Sequence, residues 1–144
     1  MMTPSALIPC LRYRDPRAAM EPLCRVFGLR KHLVVDGSDG RLEHAELSGE
    51  GCLIMLSGID PEGPFDQLVR QPDEVGGFET QNTYIVVKDV EALYTKAKGE
   101  AGWSIRMDLR AEDYGGLSFT CADAEGHLWS VGSYDPWASL PSTA

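Results

Sequence analysis

The sequence has little positive charge and no long apolar segment. Its 144 residues include 13 Lys and Arg against 22 Asp and Glu, which gives a formal net charge of −9 at pH 7. Nucleic acids and anionic membranes both require a basic surface, so we expect neither as a partner. No apolar run approaches the ~20 residues of a membrane span, and the N-terminus lacks the basic start and apolar core of a signal peptide. We therefore predict a cytoplasmic protein.

The chain also lacks the cysteine spacing of common metal and redox motifs. Its four cysteines, Cys10, Cys24, Cys52 and Cys121, form no C-x-x-C pair. Three lie in apolar, strand-like runs and one on a predicted helix, which favours buried, reduced thiols over disulfides. The G-x-S-x-G, P-loop and H-E-x-x-H signatures are absent as well.

What remains is a pattern of strands and helices that occurs twice. The length suits one domain with a real core, and 43% of the residues are apolar. Within this single domain we predict a first βαβββ module over residues 6–58 and a linker over 59–80. A second βαβββ module follows over 81–134, and a tail over 135–144.

Each predicted module has one clear helix start. Asp15 precedes Pro16, a typical N-cap followed by a proline at the first helical position, and Asp89 begins the second helix. A glycine follows 13 residues after each aspartate, at Gly28 and Gly102. Pro22 conflicts with this pattern, because a proline inside a helix costs roughly 3 kcal/mol. We expect a kink or an irregular first turn there.

The two modules can also be overlaid without gaps. When residues 41–58 are placed over 116–133, Glu50 and Gly51 fall on Glu125 and Gly126. A duplicated unit of about 55 residues is too long for a solenoid repeat. We therefore predict an α+β fold of two tandem modules that form an incomplete barrel around a shared cleft, a natural ligand site.

The repeat, the Asp-capped helices and the hairpin "DAEGHLWS" resemble the vicinal oxygen chelate superfamily. This superfamily includes glyoxalase I, extradiol dioxygenases and bleomycin-resistance proteins. The resemblance covers residues 7–137, and the final hairpin is its most specific part. It implies a small organic ligand and commonly a homodimer, with residues 58–80, Tyr134 and Trp137 as candidate contacts with the partner.

The resemblance also implies where a metal would be held. Metal-using members place two ligands seven residues before the helix-capping residues and two ligands four residues after the hairpin glycines. These positions hold Ile8, Asn82, Met55 and Ser130, where the family pattern has His and Glu. Ile8 and Met55 cannot coordinate a hard cation, so we expect no metal cofactor at this site. A divalent metal bound elsewhere stays an open alternative.

Strand alternation predicts which side chains face the cleft. The resulting lining is mostly apolar, with a few hydrogen-bonding groups and one cation, and it suits a flat or aromatic molecule. Each residue also has a structural interpretation, such as a salt-bridged Arg12 or a gap-filling Met55. The predicted ligand-binding residues are Arg12, Met55, Asn82, Tyr84, Leu128 and Ser130.

His44 and Glu46 are the candidate catalytic residues. They lie two positions apart on one strand and so share a face. On the cleft side they would form an acid/base pair or part of a displaced metal site, and on the outer side they would be solvated. His127 and Trp129 alternate with Ser130, so we expect them to pack under a helix.

Three functions are compatible with these observations. We rank first a metal-free protein that binds a small amphipathic or aromatic molecule. The second is an enzyme without a metal, in which Arg12, Tyr84 or His44 polarises a carbonyl. The third is a lyase or dioxygenase-type enzyme with a non-standard metal site at His44, Glu46 or Glu125.

Overall fold

The computed structural model describes residues 2–138, and the chain divides into two units between Phe78 and Glu79. Each unit contains one helix and one four-stranded sheet, in the order βαβββ. The predicted α+β fold of two tandem modules is therefore confirmed. The end of the predicted tail, residues 139–144, lies outside the described residues.

Module 1 pairs its first strand with its last. The sheet has the strand order β1-β4-β3-β2, in which β1 runs parallel to β4 and the other pairs are antiparallel. Two 3-10 turns, Phe65–Gln67 and Pro72–Val75, follow the sheet in the linker. The elements are β1 (Cys10–Tyr13), α1 (Pro16–Phe27), β2 (Arg30–Asp36), β3 (Leu42–Gly49) and β4 (Cys52–Gly58).

Module 2 repeats this topology. Its sheet has the order β5-β8-β7-β6, again with one parallel pair between the first and the last strand. The elements are β5 (Thr83–Val86), α2 (Val90–Gly99), β6 (Ser104–Ala111), β7 (Leu117–Ala122) and β8 (Leu128–Gly132). No helix within residues 2–138 has the length and apolar character needed to cross a membrane.

The predicted helix starts are confirmed. A side-chain oxygen of Asp15 accepts the backbone N–H of Ala18 at 3.0 Å, and Asp89 accepts that of Ala92 at the same distance. Each bond satisfies one of the N–H groups that a helix leaves without an intrahelical partner. Gly28 ends α1 in the left-handed region at φ 70°, where glycine has no steric penalty.

Each helix covers one face of its own sheet. The buried residues alternate along β4 at Ile54 and Leu56 and along β8 at Trp129 and Val131, as a sheet with one covered face requires. The edge-to-face contact between Tyr94 and Phe119, with ring centroids 5.4 Å apart, joins α2 to β7. The buried core residues include Tyr13, Met20, Leu23, Val26, Ala45, Leu47, Ile54 and Leu56 in module 1, and Val90, Ala97, Phe119, Cys121, Trp129 and Val131 in module 2.

The strand register confirms the duplication at the parallel pairs. Cys10 lies opposite Met55 in module 1, and Tyr84 lies opposite Ser130 in module 2. Ile8 and Asn82 each precede these strand positions by two residues. The positions that the resemblance assigns to metal ligands are therefore equivalent in the two modules.

The ungapped overlay is wrong by one residue on β7. The hairpin turn consists of residues 50–51 in module 1 and of residues 124–126 in module 2. Side chains alternate along a strand. One extra residue in the turn therefore places each residue of β7 on the face opposite to the one that the overlay predicts. The structural equivalent of Glu46 is therefore Thr120, and not Cys121 as the overlay predicts.

The longer turn of module 2 is fixed by a buried carboxylate. Oδ1 of Asp123 accepts the backbone N–H groups of Glu125 and His127, and Oδ2 accepts the indole N–H of Trp129 at 3.1 Å. Nδ1 of His127 lies 3.0 Å from a Glu79 carboxylate oxygen. His127 and Trp129, which we expect to pack under a helix, are both buried, with exposed fractions of 7% and 0%.

The prediction that the cysteines are buried is correct for Cys121 but wrong for Cys10 and Cys52. All four thiols are free, but Cys10 and Cys52 are exposed and Cys24 is half-buried. Only Cys121 is buried, and desolvation, with a contribution from Asp123, raises the pKa of its thiol to about 12. The apolar runs around Cys10 and Cys52 predict strands correctly, but these two residues lie away from the helix-covered core.

Helix α1 runs from Pro16 to Phe27 with Pro22 inside it. Pro22 cannot donate to the carbonyl four residues earlier, and its ring crowds that carbonyl. We therefore expect Pro22→Ala to raise the free energy of unfolding by about 2 kcal/mol, after allowance for the more flexible unfolded chain. Urea unfolding followed by circular dichroism measures this change.

The matched control is Pro16→Ala. Pro16 occupies the first turn, where proline is favoured and no helical hydrogen bond is lost, so this change should give no gain. A Pro22→Ala protein no more stable than the wild type would show that the packing of α1 depends on the proline.

Candidate functional site

The face of each sheet opposite its helix is here called the open face. In module 2 the open face carries strand residues that alternate with the buried core residues, including Tyr84, Thr120, Leu128 and Ser130. In module 1 it carries Cys10, Arg12, His44, Glu46, Met55 and Ser57. Five of the six predicted ligand-binding residues lie on these open faces. The sixth, Asn82, directly precedes β5.

Ser130 is the centre of a hydrogen-bonded group on the open face of module 2. Nδ2 of Asn82 donates to Oγ of Ser130 at 2.9 Å, and the hydroxyls of Thr120 and Ser130 are 3.0 Å apart. The group is neutral, with Thr120 and Ser130 half-buried and Asn82 exposed, and Leu128 and Tyr84 lie on the same face. The sequence identifies Asn82 and Ser130 but not Thr120, because the ungapped overlay assigns the wrong facing to β7.

Tyr84 lies across the backbone of β8. A Cβ added at Gly132 would come within 3.0 Å of Cε2 and 3.1 Å of Cζ of Tyr84, so the ring occupies the space that a side chain would need. The phenol donates to the backbone carbonyl of Tyr134 at 2.8 Å. Desolvation, with electrostatic contributions that include Tyr114 and Asp135, raises the pKa of Tyr84 above its ordinary value. The Tyr84 phenol is therefore neutral at physiological pH.

The open face of module 1 brings the candidate catalytic residues close to Met55. Glu46 lies opposite Met55 on the neighbouring strand, and His44 lies opposite Ser57. Nε2 of His44 is 3.8 Å from Oε2 of Glu46, and both side chains are partly exposed. The structure thus places this pair on the same face as Met55 and Arg12.

Arg12 is held by the linker. Its Nε lies 2.9 Å from Oδ1 of Asp66, whose side chain is only 5% exposed, and its guanidinium also donates to Ser57. The guanidinium carbon lies 4.6 Å from the centroid of the Phe65 ring, within cation–π range. The first linker turn therefore lies against the C-terminal end of β1. These contacts agree with the structural interpretation of Arg12 as a salt-bridged residue.

The positions that the resemblance assigns to metal ligands do not fit a divalent cation. Ile8 offers no donor atom, and Met55 offers a soft thioether. The Asn82 amide directs an N–H at Ser130, so these two polar groups are bonded to each other. Within residues 2–138, no three His, Cys, Asp or Glu side chains are grouped so that they could hold a metal ion. Glu125, the third residue of the alternative metal site, lies in the β7–β8 turn.

A pocket that the sequence does not predict opens beside the N-terminus of α1. Its volume is about 880 Å³, and loop residues before α1, between β2 and β3 and after β4 line it. Of its arginines, Arg14 makes a two-point contact with Asp73 at 2.8 Å, and Arg17 pairs with Asp36. The positive charges of Arg14 and Arg17 are thus paired with carboxylates of module 1 and of the linker, and none of the predicted site residues lines the pocket.

Comparison with known proteins gives a consistent family. The model of the Glyoxalase/Bleomycin resistance protein/Dioxygenase superfamily matches residues 7–131. The uncharacterized protein Rv0887c of Mycobacterium tuberculosis is 30% identical over 127 residues, which cover 88% of this chain and 73% of that protein.

Solved structures give the same result. TioX from Micromonospora sp. ML1 is 28% identical, with a TM-score of 0.67 over 90% of this chain and 98% of that one. The bleomycin-binding protein from Streptomyces verticillus, solved in complex with copper(II)-bleomycin, is 15% identical, with a TM-score of 0.62 over 94% of this chain and 100% of that one. At 15% identity the second likeness concerns the fold alone.

The ion pair between Arg12 and Asp66 can be tested by a double-mutant cycle. Because Asp66 is desolvated, each single change to alanine leaves a poorly solvated charge, and we expect a coupling free energy of about 1–3 kcal/mol from urea unfolding. The pair formed by Arg17 and Asp36 is the matched control, since its side chains are 52% and 55% exposed. It should show a much smaller coupling. Equal coupling in the two pairs would contradict the assigned role of Arg12.

Proposed function

Because the chain belongs to the glyoxalase/bleomycin resistance protein/dioxygenase superfamily, as its hairpin predicts, we propose that it binds a small amphipathic or aromatic organic molecule without using a metal. The proposed ligand contacts on the open face of module 2 are Asn82, Tyr84, Leu128 and Ser130. On the open face of module 1, taken by itself, the proposed contact is Met55. A homodimer located in the cytoplasm is part of the same proposal.

The observation that carries this proposal is the neutral hydrogen-bonded group around Ser130. Proteins hold transition-metal ions mainly through carboxylate, imidazole or thiolate groups, whereas Ser130 supplies a neutral hydroxyl that is hydrogen-bonded with Asn82 and Thr120. Apolar surface beside a few oriented polar groups is the usual character of a small-molecule site. Leu128 and the ring of Tyr84 supply that surface on the same face.

Met55 supports the proposal from module 1. Its thioether is half-buried between Glu46 and Cys10 on the neighbouring strands. A flexible, polarisable side chain adapts to flat organic ligands. Arg12 has a positioning role, because its guanidinium holds the linker residues Asp66 and Phe65 at the end of this face.

An enzyme is the second candidate, and the pair of His44 and Glu46 favours it. Their 3.8 Å separation on the open face would let the carboxylate orient the imidazole as a general base or acid. This enzyme would be of the lyase or dioxygenase type, and it would use either no metal or a non-standard metal site at His44, Glu46 or Glu125.

Metal analysis separates the first proposal from its metal-dependent alternative. Protein purified without chelator should contain far less than stoichiometric Mn, Fe, Co, Ni, Cu and Zn by mass spectrometry, and these ions should not raise its melting temperature. Stoichiometric metal that disappears in His44→Ala would overturn the metal-free proposal in favour of the enzyme.

The ligand site itself can be tested by blocking the open face of module 2. We expect 1-naphthalenemethanol, a neutral probe with a flat apolar body, to bind the wild-type protein in a fluorescence titration. Ser130→Phe places a ring over the Asn82 group and should weaken binding about tenfold or more, a loss of about 1.4 kcal/mol.

The matched control is Ser5→Phe, which adds the same ring at an exposed position before β1. This variant should bind the probe as the wild type does. Equal affinity of the Ser130→Phe and wild-type proteins would exclude this face as the binding site.

A further inference from the structure

Four side chains form a row across the open face of module 2, here called the open-face row. Tyr84 on β5 lies opposite Ser130 on β8, and Ser130 lies opposite Thr120 on β7. Met107 on β6 lies opposite Thr120 and completes the row. Because neighbouring strands lie about 4.8 Å apart, the row spans about 14 Å. Its polar centre is therefore flanked by an aromatic ring at one end and a thioether at the other.

The two hydroxyls at the centre of the row have one hydrogen that their mutual bond does not use. Oγ1 of Thr120 lies 3.0 Å from Oγ of Ser130, and either oxygen can be the donor. Each hydroxyl carries one hydrogen, and only one of the two hydrogens lies between the oxygens. Asn82 meets Ser130 as a donor, at 2.9 Å, so its amide nitrogen uses neither hydroxyl hydrogen. The remaining hydrogen is available to an acceptor on a ligand.

The Asn82 amide supplies an acceptor beside this donor. Its nitrogen donates to Ser130, and within residues 2–138 its oxygen Oδ1 accepts no hydrogen bond. Asn82 is exposed, so a ligand can reach this oxygen. An amide oxygen accepts up to two hydrogen bonds. The centre of the row thus offers a donor and an acceptor on neighbouring residues of one hydrogen-bonded group.

The centre is also uncharged, which limits the groups that match it. A ligand carboxylate would bring only acceptors and would leave Oδ1 of Asn82 without a donor. A ligand ammonium group would bring only donors and would leave the hydroxyl hydrogen without an acceptor. A neutral group with an N–H beside a carbonyl satisfies both. In module 1 the equivalent of Thr120 is Glu46, so the neutral centre belongs to module 2 and not to module 1.

We propose that Asn82, Thr120 and Ser130 recognise an uncharged carboxamide or lactam group of the ligand. The ligand N–H donates to Oδ1 of Asn82, and the ligand carbonyl accepts from the hydroxyl pair. This inference rests on the proposed function and names the chemical class of the ligand's polar group. The apolar part of the ligand extends along the row to Tyr84 and Met107, because a flat body packs against an aromatic ring and a thioether adapts to it.

The test uses three probes that share one naphthyl body and differ in their polar group. The first is 1-naphthaleneacetamide, the second is 1-(1-naphthyl)propan-2-one, in which a methyl group replaces the amide nitrogen, and the third is anionic 1-naphthaleneacetate. Each is titrated into the full-length protein by calorimetry. The amide should bind about fivefold more tightly than the ketone, because the ketone leaves Oδ1 of Asn82 without a donor. The carboxylate should bind most weakly.

Asn82→Leu assigns this preference to the Asn82 amide. The variant should reduce the ratio of amide to ketone affinity from about fivefold to about one, while the affinity for the ketone changes less than about twofold. The matched control is Gln81→Leu, which removes an exposed amide from the neighbouring residue. It should leave the ratio unchanged.

The double variant Thr120→Val/Ser130→Ala assigns the carbonyl contact to the hydroxyl pair. It removes both hydroxyls and should weaken the binding of the amide and the ketone together, by about threefold, because both probes carry the carbonyl. The matched control is Thr95→Val, which removes an exposed hydroxyl that donates to the Glu91 carbonyl on α2. It should change neither affinity.

The outcomes separate this inference from the proposed function. Equal affinity for the amide and the ketone, or tightest binding of the carboxylate, would overturn the amide subsite and leave the proposed small-molecule site intact. A preference for the amide that survives Asn82→Leu would also overturn the subsite, since another group would then accept the N–H. Binding of none of the probes would overturn the proposed function together with the subsite.

Discussion

The alternation of side chains along β4 and β8 is the constraint on which the rest of the structure depends. Ile54 and Leu56, like Trp129 and Val131, must pack beneath a helix to bury their apolar surface. The residues between them are thereby turned to the open face, whatever their chemistry. Met55 and Ser130 therefore lie on the open face because their neighbours form the core. A one-residue slip in either strand would bury Ser130 or Met55 and expose the core.

The two open faces are equivalent in backbone register but differ in their polar groups. Module 1 has an ion pair that involves the linker, a methionine and the pair of His44 and Glu46. Module 2 has a neutral hydroxyl–amide group and exposed tyrosines. Because Arg12 is paired with Asp66, its positive charge is already compensated and is not available to an anionic ligand.

At two of the positions that the resemblance assigns to metal ligands, the polar side chains are hydrogen-bonded to each other. Asn82 and Ser130 occupy equivalents of ligand positions and form a hydrogen bond that a bound cation would have to break. Such a pair stabilises module 2 while leaving a neutral, shaped surface. A fold can thus retain its strand register and change its chemistry by a few side chains on one face, because the core depends only on the other face.

The sequence by itself determined the two modules, both helix N-caps, the facing of β4 and β8 and the absence of metal-ligand side chains at the expected positions. These features depend on local signals, namely an aspartate before a helix and a period of two along a strand. Only the tertiary structure decided the rest. The three-residue turn at 124–126 fixed the facing of Thr120, and long-range contacts joined Arg12 to Asp66 and Tyr84 to Tyr134. Such partners are 50 or more residues apart or lie in a linker without periodicity, so no local pattern predicts them.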